Sequence, residues 1–410
     1  MKITFAVLTN EQATRTDHHS LPRLARMPRA LSIMIIPVIA ALAACSGQPS
    51  SGPIEGQAAD APSPSQNSTT PTRPLGDEFA APRGDWPDDA PPSEVPAAWL
   101  RYAQPEPLTC PAATVTVDDA VSLADALEAA APGTVILLTP GTYAGKFAIR
   151  ASGSEEQPIW LCGEKGAVID GGGIDKGYGL HLDSSAWINV VGLTVSNAQK
   201  GIMVDGGKRV RIQDCTVRKV GDEGIHLRAG TVDSIVQRNT VSDTGKRRDK
   251  FGEGIYIGTA ESNWGKVTGG APDASDRNLV IDNTVRGTTA EAIDVKEGTS
   301  GGVLARNTFD GSAMTEKGAD SWVDVKGNGW LVADNQGTSA LRDGYQTHEI
   351  VDGWGNKNIF AGNKASKINK SPQDGPGVGV GVRPALANVV TCTNTTEGGP
   401  ASNVQCVKVS

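Results

Sequence analysis

The sequence predicts an all-β fold, a parallel β-solenoid with one short capping helix at its start. Three observations predict it. A strand-and-turn pattern recurs every 22 to 28 residues, an asparagine recurs at one point of that unit, and a helical pattern occurs only at the head of the domain.

The head reads "SLADALEAAAPGTVILLTPGTY". Leu123, Ala126, Leu127 and Ala130 fall on one helical face, and Pro132-Gly133 stops the helix. Val135 to Leu138 then reads as a buried strand turned by Pro140-Gly141.

The repeat follows. "LTVSN", "CTVRK", "NTVSD", "NTVRG", "NTFDG", "DNQGT" and "GNKAS" start at 193, 215, 239, 283, 307, 334 and 362. Their matching positions, Leu193 to Asn363, are 22, 24, 44, 24, 28 and 28 residues apart, so the 44-residue gap is one unit plus an insertion. Asn239, Asn283, Asn307, Asn335 and Asn363 share one point of the unit. Asparagine tolerates tight bends, and its amide can bond to the matching amide one unit on. A single coil of this length cannot bury its interior. Stacked coils form one core, whose first edge the helix at 121–131 is placed to cover. The pattern "ADALEAAAPGTVILLTPGTY…AVIDGGG" resembles the N-terminal cap and first coils of the pectate-lyase-like superfamily. That resemblance covers about residues 112 to 390 and implies a single-stranded, right-handed parallel β-helix.

One strand of each coil carries the chemistry. The runs "GLHLD", "GIMVD", "EGIHLR", "EGIYIG", "EAIDVK", "SWVDVK" and "DGYQTH" start at 179, 201, 223, 253, 291, 321 and 343. Period-two alternation points the third and fifth residues of each six-residue run inward. The outward pairs are His181/Asp183, Met203/Asp205, His226/Arg228, Tyr256/Gly258, Asp294/Lys296, Asp324/Lys326 and Gln346/His348. His181, His226 and His348, the histidines outside the leader, all fall on this stripe. Glu223, Glu253 and Glu291 open three successive runs. Stacked at coil spacing they repel unless a cation intervenes, and a hard cation such as Ca²⁺ suits an all-oxygen site. They could equally be turn residues facing water.

The spacing Glu291-x4-Lys296, with Lys326 one coil later, resembles the catalytic strands of the alginate lyase and chondroitinase B family. The resemblance implies that Glu291 helps bind Ca²⁺ and that Lys296 is the base. Lys326 stands where the family has an assisting arginine. The implied reaction is β-elimination of an acidic, uronate-containing polysaccharide. A base takes the C5 proton, the C4 oxygen leaves, and a cation neutralises the carboxylate. Lys326 would lower the pKa of Lys296, whereas Asp294 and Asp324 would raise it. The same four groups could form an ion-pair lattice with no catalytic role. A second reading is a glycoside hydrolase with Asp294 and Asp324 as acid and base, aided by His226 or His348. A third is a non-catalytic glycan-binding lipoprotein, with Tyr256, Trp264, Trp322 and Trp354 stacking on sugars. Arg228 joins the expected substrate contacts.

Two loops would wall the groove. "TGKRRDKFG" at 244–252 carries Arg247 and Arg248, a basic cluster for a polyanion or a solvated turn. The insertion at 259–277 carries Trp264, a sugar platform or a plug.

The N-terminal segment gives an expectation about the compartment. Residues 30–44 form an apolar stretch of 15, short for a membrane span. Leu42-Ala43-Ala44-Cys45 resembles the lipobox of bacterial lipoproteins, which implies acylation of Cys45. The expected divisions are a signal peptide at 1–45, a disordered Pro/Ser/Thr-rich tether at 46–107 and the β-helix at 108–410. Met27 would make a neater start for the leader. The expected location is the extracellular face of the cell membrane, or secretion, as a monomer. A formal charge of −8 argues against a nucleic-acid partner. Cys392 and Cys406 lie close enough to form a staple, and Cys110 and Cys162 could pair across the first turns. Cys215 would then be a small buried hydrophobe.

Overall fold

The computed structural model describes residues 86–368 and 376–410. Cys45, the leader and residues 46–85 of the expected tether lie outside the described residues. Each coil contributes one strand to each of three parallel sheets, of 11, 10 and 9 strands. We call them sheets 1, 2 and 3, in the order the chain visits them, first at Val115–Val117, Gly141–Ala144 and Phe147–Ile149. The coil spacing read from the sequence is the strand register: Val195 pairs with Val217, Val217 with Val241, and Val241 with Val285.

The asparagines do what their spacing implied. In the series Asn239, Asn283, Asn307, Asn335, Asn363 and Asn394, each side-chain amide donates to the next carboxamide oxygen at 3.0 Å. Each amide also donates to a backbone carbonyl, as Asn307 does to Val280 at 2.9 Å. This satisfies polar groups that the turns would otherwise bury unpaired.

The helix Ala120–Glu128 lays Leu123, Ala126 and Leu127 on the first coil, and Asp119 caps it by accepting from the Ser122 amide at 2.7 Å. Both expected disulfides, Cys110–Cys162 and Cys392–Cys406, are present, and Cys215 is free and buried.

The expected tether is too long at its C-terminal end. Residues 86–107 form a strap along the outer face of sheet 1. Glu94–Val95 pairs with Lys408–Val409 in the last turns, the Trp86 indole donates to the Ala387 carbonyl, and Leu108 bonds to Gln213 near the first coils. The physical cause is a column of outward apolar residues, Ile235, Leu279, Val303, Leu331 and Ile359, in register from coil to coil. All are buried, with Trp86, Val95, Trp99 and Tyr102 packed in the same cluster. Removing this apolar surface from water offsets the cost of ordering a proline-rich segment.

Trp322 corrects another expectation. It is fully buried and cannot stack on a sugar. It occupies the register where neighbouring coils carry Gly254, Ala292 and Gly344. A Cβ on Gly337 would come 2.4 Å from its ring, so the glycines at 337 and 344 make the space it fills.

Candidate functional site

Sheet 3 carries the stripe as its alternation predicted. Ile225, Ile255, Ile293 and Val323 pair in order and face the core. His226, Tyr256, Asp294 and Asp324 form one outward column beside them. Arg228, Gly258, Lys296 and Lys326 form a second. Two residues ahead of the inward isoleucines run Lys200, Glu223, Glu253 and Glu291. Three sequence-distant columns therefore meet on one wall.

The wall borders a cleft of about 540 Å³. Its floor includes Lys200, Glu223, His226, Arg228 and Tyr256. Arg248 and Phe251 stand on one side, and residues 259–267 on the other. The two loops expected to wall the groove do so, with different side chains in the leading parts. Trp264 is a plug: it is buried, donates to the Thr259 carbonyl at 2.8 Å and packs on Gly298. Arg247 is drawn to Asp222, which is 1% exposed, by a bidentate contact. Arg248 also reaches Asp222, at 3.2 Å, lies 4.2 Å over the Phe251 ring, and lines the cleft.

Asp294 and Asp324 are engaged rather than available. Asp294 is 1% exposed and contacts the Lys296 ammonium at 2.6 Å and that of Lys326 at 2.7 Å. Asp324 contacts Lys326 at 2.5 Å and His348 at 3.0 Å. Burial works to lower both lysines, but Asp294 at each of them, with Asp324 at Lys326, outweighs it and holds both above the ordinary ammonium value. Burial works to raise Asp324, but Lys326 and His348 hold it well below the usual carboxylate range. A glycosidase acid must keep its proton, so the lattice does not suit Asp324 for that role. It equally holds Lys296 in the protonated form, which a base cannot use.

Glu223, Glu253 and Glu291 are buried, not water-facing. Burial, then the neighbouring carboxylates, pushes Glu253 well above its ordinary value. Burial and Asp294 push Glu291 up to about 8. Oxygens of Glu253, Glu291 and Asp294 lie within 4.8 Å of one another, and Oε2 of Glu253 has no hydrogen-bond partner among the described residues. This group differs from the triad expected to hold Ca²⁺, because Glu223 is paired with Lys200 at 2.9 Å. The donor set does not fit a hard dication. Both Asp294 oxygens already bind ammonium groups, and the site is too buried to admit the waters that complete six to eight oxygen ligands. With protons on Glu253 and Glu291, the carboxylates of Glu223, Asp294 and Asp324 are matched by Lys200, Lys296 and Lys326.

Two aromatic groups complete the site. The His226 Nε2 donates to the Gly258 carbonyl at 2.9 Å, and burial, then Lys200 and Arg228, holds the ring neutral. Its Nδ1 lies 3.7 Å from Glu223 and has no hydrogen-bond partner among the described residues. The ring meets Tyr256 edge-on at 4.4 Å. Lys296 Nζ lies 5.1 Å from the centre of the Tyr256 ring. The Tyr256 hydroxyl forms no hydrogen bond among the described residues, and the residue lines the cleft. Gly258 matters here, because a side chain at its register, between Arg228 and Lys296, would meet Lys296 Cβ at 3.3 Å. Arg228 is bound to Asp205 at 2.5 Å and to the Tyr178 hydroxyl at 3.3 Å. Lys200 was missed in the sequence. Its signal is there, since "KGIMVD" opens with lysine where later runs open with glutamate.

Fold and site together define a β-helix with a polar cleft on its third sheet, and the chain belongs to the right-handed parallel β-helix, pectate-lyase-like superfamily. Within it, the chain is similar to the alginate lyase from Paenibacillus sp. str. FPU-7. The two are 31% identical, with 72% of this chain and 98% of that one covered, at a TM-score of 0.62. Residues 110–255 match the model of the Pel9A-like, right handed beta helix region. The polygalacturonase from Erwinia carotovora ssp. carotovora shares the fold, at 11% identity and a TM-score of 0.50, over 75% of this chain and 99% of that one. No curated protein matches the chain.

Proposed function

We propose that the chain is a polysaccharide lyase that cleaves a uronate-containing glycan by β-elimination in the sheet 3 cleft. The observation that carries this is the Tyr256–Lys296 pair. A phenol with an unengaged hydroxyl faces the cleft, with an ammonium 5.1 Å from its ring centre. The similarity to an alginate lyase supports the same substrate class.

Lys200, Arg228, Arg248 and Lys266 line the cleft and attract the polyanion. A cation beside the substrate carboxylate stabilises the charge that builds as C5 loses its proton. Lys296, held protonated, supplies that charge in place of the Ca²⁺ and the lysine base expected from the sequence. Tyr256 transfers the proton. The Tyr256 hydroxyl first loses its proton to solvent in the cleft; the phenolate oxygen then takes the C5 proton, the C4–O4 bond breaks as C4=C5 forms, and the phenol so made gives that proton to O4, which restores the phenolate. Burial, then Asp294 and Glu253, holds Tyr256 above the ordinary phenol value. The neighbouring ammonium stabilises the phenolate as it forms.

The test is a screen of acidic polysaccharides, alginate first, read by near-ultraviolet absorbance of the unsaturated product. New reducing ends without that absorbance would establish hydrolysis instead. Binding without turnover would establish a glycan-binding protein. Anchoring through Cys45 at the outer face of the membrane is proposed with it, and labelling with radioactive palmitate in wild type but not Cys45→Ala tests it.

A further inference from the structure

Two half-buried tryptophans lie on sheet 1, on a different face from the catalytic wall of sheet 3. Trp160 sits in the strand Ile159–Gly163 of sheet 1, where Ile159 and Leu161 face the core. Trp187 occupies the turn one coil on, at φ 57°, with the Arg209 guanidinium 5.6 Å from its ring centre. A bulky residue in the left-handed region is strained, and asparagine or glycine would serve that turn better.

Beside the strap, Trp160 and Trp187 remain half-exposed. Leu108 ends at the edge of a cleft of about 270 Å³ that Trp160, Trp187, Asn189 and Arg211 line. Asn189 is 9% exposed, and its carboxamide has no hydrogen-bond partner among the described residues. That amide lines the cleft and offers a donor and an acceptor to a ligand hydroxyl. Asp233, also on the rim, is neutralised by Arg277 at 2.7 Å.

We infer that this cleft is a second, non-catalytic carbohydrate site that seats a uronate residue of the glycan against Trp160 and Trp187. The apolar C–H face of a pyranose packs on indole, as amphipathic aromatic surfaces permit. The Asn189 carboxamide bonds to ring hydroxyls, and the positive charges of Arg209 and of Arg211, whose guanidinium donates to the Glu106 carbonyl and the Gln237 side chain, attract the carboxylate through space. The site lies on sheet 1 and the reaction on sheet 3. A long polymer held at the first therefore raises its local concentration at the second. The inference rests on the substrate reading but not on the elimination chemistry.

The test uses the full chain carrying Tyr256→Phe, to suppress turnover, titrated calorimetrically with short alginate and polygalacturonate oligosaccharides. Two classes of site are expected, and Trp160→Thr with Trp187→Asn removes one. In the chain with Tyr256 intact, that double substitution leaves turnover of short oligosaccharides unchanged and raises KM for the long polymer several-fold. If the double variant does not fold, Asn189→Ala is used and is expected to weaken the second class several-fold. A single class of site, unaltered by these substitutions, overturns the inference and leaves the proposed lyase standing. Binding of neither acidic glycan overturns both.

Discussion

Lys326 reaches back one coil to place its ammonium 2.7 Å from Asp294, while its own strand's Asp324 holds it at 2.5 Å. The bridge ties two coils through buried charges. Removing one partner of a buried pair leaves an uncompensated charge, at about 3–5 kcal/mol. Asp294→Ala strips Lys296 of its ion-pair partner and is expected to destabilise the chain by about that amount. Denaturant unfolding measures it. A midpoint within error of wild type would show that the lattice does not hold the coils.

The same lattice sets the roles at the cleft. Tyr256→Phe keeps the ring contacts with His226 and Lys296 and removes only the hydroxyl. Turnover is expected to fall by about 10²–10⁴ with the melting temperature unchanged. Lys296→Arg keeps a cation and is expected to retain measurable turnover, whereas Lys296→Ala loses about 10²–10³. Complete loss in Lys296→Arg would return the lysine to the role of base. Because Tyr256 is held above the ordinary phenol value, the rate should climb through the alkaline range as the phenolate becomes accessible.

If Lys296 and Lys326 provide the positive charge, no dication is required. Exhaustive chelation is expected to leave turnover within about twofold of the untreated protein, and added Ca²⁺ to give no saturable increase. Ca²⁺-dependent rescue after chelation would mean that Glu253, Glu291 and Asp294 rearrange to bind metal and release the lysines.

Much of this was legible because a solenoid turns sequence period directly into neighbourhood. The spacing of Asn239, Asn283 and Asn307 gave the register, and alternation in "EAIDVK" placed Asp294 and Lys296 outward. What alternation does not reveal is which partner reaches which. Lys326 crossing to Asp294, and Glu253 left without a cation, are matters of rotamer and burial. Trp322 misled because it breaks the alternation at the glycine register, where only Gly337, distant in sequence, makes room for it. The strap was hidden by composition. Prolines at 87, 91, 92 and 96 read as tether, yet "LVI", "VLA", "LVA" and "IFA" in sheet 1 are apolar on both faces. Strands with no polar face are covered on both sides, and that pattern points to a covering segment.

The buried acid pair predicts an inverted pH response. Glu291 is pushed up to about 8 in the folded chain, first by burial and then by Asp294, whereas an unfolded glutamate titrates near 4.3. Between those values the folded chain binds the proton that the unfolded chain has lost. Stability from this group is therefore fully present below pH of about 4.3 and is lost progressively as pH rises toward about 8. Asp324 acts in the opposite sense. It is held low, so its contribution is present above the ordinary aspartate value and is lost only in strong acid. Across the neutral range the glutamate sets the slope. Glu291→Gln fixes the neutral form, so it should flatten that slope and raise the melting temperature by a few degrees at pH 8, with little change at pH 5. Thermal unfolding of both proteins at the two pH values decides it. A variant less stable at pH 8 than wild type would mean that the Glu291 charge is used in the folded chain, and that a cation sits beside it.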